Sequence, residues 1–173
     1  MKDRTPPKVL RPHLTPPPSL PPRPRTRPMT ENPVEDAYNA AVDARNALAV
    51  RRNDDVETYE TLETRYNTDN GKYAAQQAGM TAPHRMACAM ALNSAHSQLL
   101  QMTSALDNAF TKLGVTDEWI EAGDNDSPDS ARVEDYNGAK NVADNEGEPY
   151  CVTAESCGGT ATTNLTTAET YLT

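Results

Sequence analysis

Cys88, Leu92, Ala95, Leu99, Met102, Leu106, Ala109 and Leu113 follow one another at alternating steps of four and three. Eight successive heptad core positions without a charge define a helix with one narrow apolar seam, the form that packs against a second helix. Such a seam specifies a partner helix and no chemistry. It sets the architecture and leaves function to be argued from what surrounds it.

A second seam precedes it. Val34, Tyr38, Ala41, Leu48, Tyr59, Leu62, Tyr66 and Tyr73 fall on the same 3.5-residue period, with Arg45, Arg52, Asp55 and Asp69 at the intervening core positions. Asn32 is a good N-cap, Pro33 suits the first helical position, and Glu35 and Asp36 complement the helix dipole in the first turn. Arg51-Arg52-Asn53-Asp54-Asp55 reads as a polar interruption of this helix. Asn67-Thr68-Asp69-Asn70-Gly71 carries a strong turn signal, which places the first helix over roughly 33–66, with a short helical piece at 72–78. Thr81 or Ala82 caps a second helix opened by Pro83. It runs to Leu113, where Gly114 serves as the αL cap residue and Val115 makes the closing apolar contact.

Two helices of about 30 residues joined by a modest connection predict an all-α fold, an antiparallel helical hairpin over residues 33–122. Thr116-Asp117-Glu118-Trp119-Ile120 starts a short third helix whose Trp119 and Ile120 fold back over the open end. Before the hairpin, residues 1–32 form an extended arm rich in Pro and Arg. After it, residues 123–173 read as an irregular tail, first acidic and then Thr-rich. Residues 117–148 hold eleven acids against two bases with no surviving apolar period, and 160–167 have enough strand propensity to serve as an edge strand.

Charge divides the chain in the same place. Residues 1–28 carry seven Lys or Arg against one acid and ten of the fourteen prolines, while the remainder carries nine bases against 24 acids. The acidic body excludes a nucleic-acid interface there, because phosphate contacts need clustered Lys and Arg; only the arm could touch an anionic surface. Ten prolines favour polyproline II over helix or sheet. The charge flip also makes Met29 an alternative translation start. No apolar run is long enough to span a membrane, and the first residues lack the apolar core of a secretory signal. This reads as a soluble chain of unknown location, cytoplasmic or virion-associated.

The patterns that carry chemistry elsewhere are incomplete here. Asp124 and Asp126 with Asp135 match the first, third and twelfth positions of a calcium loop, but Pro128 and Asp129 stand where an acceptor and the turn glycine are required. His84 and Cys88 share a helical face with His96 two turns on, yet a closed zinc site wants four ligands. No Gly-rich phosphate cradle, nucleophile elbow or metalloprotease helix is present. The chain reads as no enzyme, with no cofactor. Cys88 fits the seam as a small apolar residue, and Cys151 and Cys157 stand close enough in sequence to bridge under oxidising conditions. Pro18-Ser19-Leu20-Pro21-Pro22-Arg23 matches Pro-x-x-Pro-x-Arg and resembles ligands of SH3 domains, with Pro18, Pro21 and Arg23 as the recognition residues.

Burial decides between roles. At about 25 cal/mol per Å² of apolar surface, against about 1.5 kcal/mol per ordered residue, a lone hairpin with one shared strip comes out near zero. Something else must cover its remaining apolar faces. The expectation is a structural, assembly protein that packs through its seam against further copies of itself or a larger scaffold. Accessory proteins of virus capsids and tails have this outline. The alternative is an adaptor that presents the arm to a groove-bearing partner domain.

Overall fold

A computed structural model of the chain describes residues 16–23 and 32–173. Met29 and the other arm residues at 1–15 and 24–31 lie outside the described residues. Of those described, 88% are helical and none is in a strand. Helix α1 spans Pro33–Gln76 and α2 spans Ala82–Asn125, linked by a 3₁₀ turn over Gln77–Gly79. Helix α3 covers Asp129–Asn141, a π-helical turn covers Val142–Gly147, and α4 covers Glu148–Glu169.

Local chemistry sets the helix starts. The Asn32 carboxamide oxygen accepts the Glu35 amide at 3.1 Å, and the Glu35 carboxylate accepts from the Asn32 side-chain amide at 3.1 Å. This reciprocal capping opens α1 on Pro33. Thr81 opens α2 in a similar way, its hydroxyl accepting the His84 amide at 3.4 Å.

Three expectations fail at the helix ends, for one reason. Helix α1 passes straight through the turn signal at 67–71, and α2 passes through Gly114 to absorb the short third helix expected at 116–120. Each helix has 44 residues where about 30 were expected. In α1 the heptad continues through buried Tyr66 and Asp69. In α2 it continues from Leu113 through buried Thr116 and Ile120 to Gly123. A glycine in a helix interior costs about 1 kcal/mol, less than the burial that a continued face secures.

The larger correction concerns residues 123–173. They form no irregular tail and no edge strand; α3, the π turn and α4 occupy them. Gly147, Cys151, Ala154, Gly158, Ala161, Leu165 and Ala168 follow steps of four and three, and all are buried. Small residues hide this stripe from a search for large apolar side chains. Upstream, Tyr136, Ala139 and Ala143 are buried one position out of phase with it. The π turn at Val142–Gly147 takes up that extra residue and keeps one face inward.

The helices contribute to two compact units. In the first, Asp55–Ala105 with Thr153–Thr173, α4 lies against both long helices. A Cβ on Gly158 would stand 3.4 Å from Met102 Cε and 3.6 Å from Leu62 Cδ1, ordinary contact distances that place α4 beside both long helices here. Cys88 Sγ–H points at the Ala168 carbonyl at 3.7 Å, and Gln76 bonds Thr173 through both ends of its carboxamide, at 3.1 and 3.2 Å.

The second unit comprises residues 16–23 and 32–54 with Leu106–Val152. One of its clusters joins Leu48 and Ala49 to Ala109, Leu113, Ala143 and Cys151; the other joins Tyr38, Ala41 and Val42 to Ile120, Tyr136 and Ala139. A Cβ on Gly147 would run into the Leu48 side chain, and one on Gly123 would meet Tyr136 Cε1 at 2.5 Å. Glycine is required at both places for close approach. Trp119 and Ile120 differ in role: Ile120 is buried, whereas Trp119 stays 39% exposed beside Gly138.

Candidate functional site

The eight seam residues of α2, Cys88 to Leu113, are each no more than 2% exposed. In the first unit their cover includes the chain's own α4, through Gly158 and Ala168. What distinguishes the core is the polar set on α1. Arg45, Arg52, Asp55 and Asp69 sit on heptad positions and are all buried. They read as breaks in a seam when only apolar residues are counted. In place they are polar layers, and buried charge needs partners in excellent geometry.

In the second unit, Arg45 meets Asp117 with a bidentate pair, Nε to Oδ1 at 2.8 Å and Nη2 to Oδ2 at 3.2 Å. Its remaining nitrogen donates to the Pro18 carbonyl. Arg52 donates Nε–H to the Leu106 carbonyl at 3.0 Å and lies 4.8 Å over the Phe110 ring. Burial lowers its pKa, with the charge of Asp107 acting against that shift.

Residues 16–23 run across this same unit. Asn46 on α1 holds Leu20 by its main chain: the carboxamide oxygen accepts the Leu20 amide at 3.1 Å, and the side-chain NH₂ donates to the Leu20 carbonyl at 2.7 Å. The Leu20 side chain packs on the Tyr38–Ile120–Tyr136 cluster. Arg23 closes the seat, its guanidinium 4.2 Å above the Tyr38 ring and bonded to Asp124 at 2.5 Å. Asp124 also accepts the Tyr136 hydroxyl at 2.6 Å, and Tyr136 stands edge-on to Tyr38 with centroids 5.3 Å apart. Arg132 fixes the rim by donating to the Gly123 carbonyl at 2.9 Å. Aromatic faces, an acid for an arginine and a carboxamide for the backbone together form a seat suited to a proline-rich segment.

The seat takes up two of the three recognition residues read from the sequence, Pro18 through its carbonyl and Arg23 through its guanidinium; Pro21 stays exposed. Sequence reasoning missed Asn46, Asp117 and the receiving role of Asp124. An arginine on a heptad position was the available signal, because Arg45 could be buried only with an acid opposite it.

The first unit holds a different polar group. Arg65 binds Glu169 through both nitrogens, at 2.6 and 2.8 Å. That pairing, led by the Arg65 hydrogen bond, depresses Glu169 to about 2. Asp69, buried beside it, is raised to about 6, first by burial and then by its hydrogen bond with Glu169. His96 lies under Tyr66 with ring centroids 5.5 Å apart.

The sequence's other candidates are dispersed. His84 faces Tyr171 at 5.4 Å, Cys88 points at Ala168, and His96 pairs with Tyr66. Asp126 caps the Ser127 amide at 2.8 Å, while Asp135 is held above the usual carboxylate range by desolvation and by Asp126. Among the described residues, no three His, Cys, Asp or Glu side chains are grouped to hold a metal ion, and no helix is long and apolar enough to cross a membrane. Cys88, Cys151 and Cys157 are all buried and none is in a disulfide, so the bridge considered between Cys151 and Cys157 is not formed. No family model matches the chain, nor does any curated protein or solved structure.

Proposed function

We propose that this chain is a structural, non-enzymatic assembly protein whose helical core packs as a unit into a larger complex. An accessory component of a virus capsid or tail is one setting that suits it. Its two long helices are read as an antiparallel hairpin, which is supported by the pairing of Tyr66 with His96 in one unit and of Arg45 with Asp117 in the other.

The observation that carries the proposal lies on the outward side of α2. With the heptad seam turned inward, Met86 and Met90 remain 66% and 64% exposed, and Leu100 remains 40% exposed. Steps of four and ten place all three on one helical face. Large apolar side chains aligned on a surface mark an interaction face, and methionine adapts its shape to a partner.

The test is molar mass in solution for the native chain and for Met86→Glu with Met90→Glu. A self-associating native chain and a variant shifted toward monomer, at unchanged helix content, are expected. A native chain that stays monomeric at every concentration and binds no scaffold overturns the proposal. An adaptor role would instead require Arg23 to leave Asp124 and Tyr38, so that removal of residues 1–28 would abolish partner binding and leave the oligomer intact.

A further inference from the structure

We propose that the seat for residues 16–23 is an exchange site: the proline-rich segment of one copy docks on Tyr38, Asn46 and Asp124 of a second copy, and reciprocally. This rests on the assembly role above and names its joint. The contacts come from the segment itself, through the Pro18 carbonyl, both main-chain groups and the side chain of Leu20, and the guanidinium of Arg23. A second copy offers the same atoms in the same order. Nothing in that set depends on the segment arriving from its own α1.

Charge favours the exchange. Residues 1–28 carry seven bases and one acid, whereas the rest of the chain carries 24 acids and nine bases. The arm of any copy is drawn to the acidic body of any other as it is to its own, while two bodies without arms repel. The Asn46 bonds read main chain only; selectivity comes from Leu20 in the apolar cluster and from Arg23 between the Tyr38 face and Asp124. Arg23 and Asn32 are nine positions apart, a reach of at most about 30 Å. Exchange thus joins immediate neighbours, and where it is reciprocal it closes as a symmetric pair.

Two full-length variants test this. Arg23→Asp keeps the seat and spoils the arm; Asp124→Arg keeps the arm and spoils the seat. Each variant opposes like charges in its own homodimer, whereas a mixture pairs opposite charges at both joints. Native mass spectrometry is expected to show a 1:1 heterocomplex in the mixture that neither variant forms alone. Should Asp124→Arg disturb Tyr136, a synthetic peptide of residues 16–23 titrated into full-length Arg23→Asp keeps the question open to decision. Saturable binding is expected there, and binding about tenfold weaker for the peptide carrying Leu20→Asp. Oligomers of unchanged size in each variant and in the mixture, with no peptide binding, overturn the exchange while leaving assembly through α2 standing. Monomers throughout, the native chain included, overturn the assembly role as well.

Discussion

His96 lies against Tyr66 in the core with both ring nitrogens buried and without a hydrogen-bond partner among the described residues, and the Tyr66 hydroxyl is in the same condition. Burial pushes Tyr66 up to about 12 and lowers His96 from its ordinary value of 6.5. The contact is therefore a neutral one, and protonating the imidazole would place a charge where nothing answers it.

From this follows a loss of stability in acid. His96 is depressed in the folded state, so its contribution is complete above 6.5 and declines as pH falls below that value. His96→Phe, which keeps an aromatic ring beside Tyr66, should flatten this limb of a melting-temperature profile measured between pH 5 and 7. A limb of unchanged slope in the variant would remove His96 as its cause.

Asp69 acts with the opposite sign. Its folded pKa is raised to about 6 from 3.8, so the unfolded chain ionises first, and stability falls as pH rises through that interval. Glu169, held at about 2 by Arg65, behaves as an ordinary paired carboxylate: its contribution is present above its ordinary 4.5 and is lost as pH falls toward 2. Asp69→Asn supplies a permanent donor to Glu169 and removes the buried ionisation. Urea titration at pH 7 should show it more stable by on the order of 1–2 kcal/mol. A destabilised Asp69→Asn would mean that the ionised carboxylate is needed there.

Arg45 and Asp117 predict an asymmetry between partners. Arg45 is 1% exposed in its side chain and Asp117 is 42% exposed. Asp117→Ala strands a buried guanidinium and should cost about 3 kcal/mol, whereas Arg45→Met keeps the volume, drops the charge and should cost no more than about 1.5. Equal losses in denaturant melts would show that the pair is not the guanidinium's main support.

Gly147 offers a packing test. A side chain there meets Leu48, which is fully buried and has nowhere to go. Gly147→Ala should be destabilised by about 1–3 kcal/mol although alanine is the better helix former. Gly159→Ala, where nothing stands within 4 Å, is the control and should be neutral or stabilising. If both variants gain stability, the π turn does not approach α1 at Leu48.

Much of this fold was legible in the sequence. The heptad of α2 and the capped start of α1 at Asn32 and Pro33 could be read directly, because large apolar residues and caps act locally. Helix α4 could not be read that way. Its face is built of Cys151, Ala154, Gly158 and Ala161, whose inward side is recognisable only by spacing. The turn signal at 67–71 and Gly114 misled for a related reason: their local preference amounts to about 1 kcal/mol, and long-range packing outweighs it. The arm's seat was not legible. The sequence offers Pro18, Pro21 and Arg23 to a separate groove-bearing partner, and nothing in their neighbourhood points to Asn46 or Asp124 of the same chain as the receiving side.

Amide hydrogen exchange across residues 148–168 tests most directly whether this chain covers its own apolar seam with α4. Protection there should match that of the seam residues 88–113 and should collapse together with it when Gly158 is replaced by Leu. Rapid exchange throughout 148–168, beside a protected 88–113, would show that the seam finds its cover elsewhere.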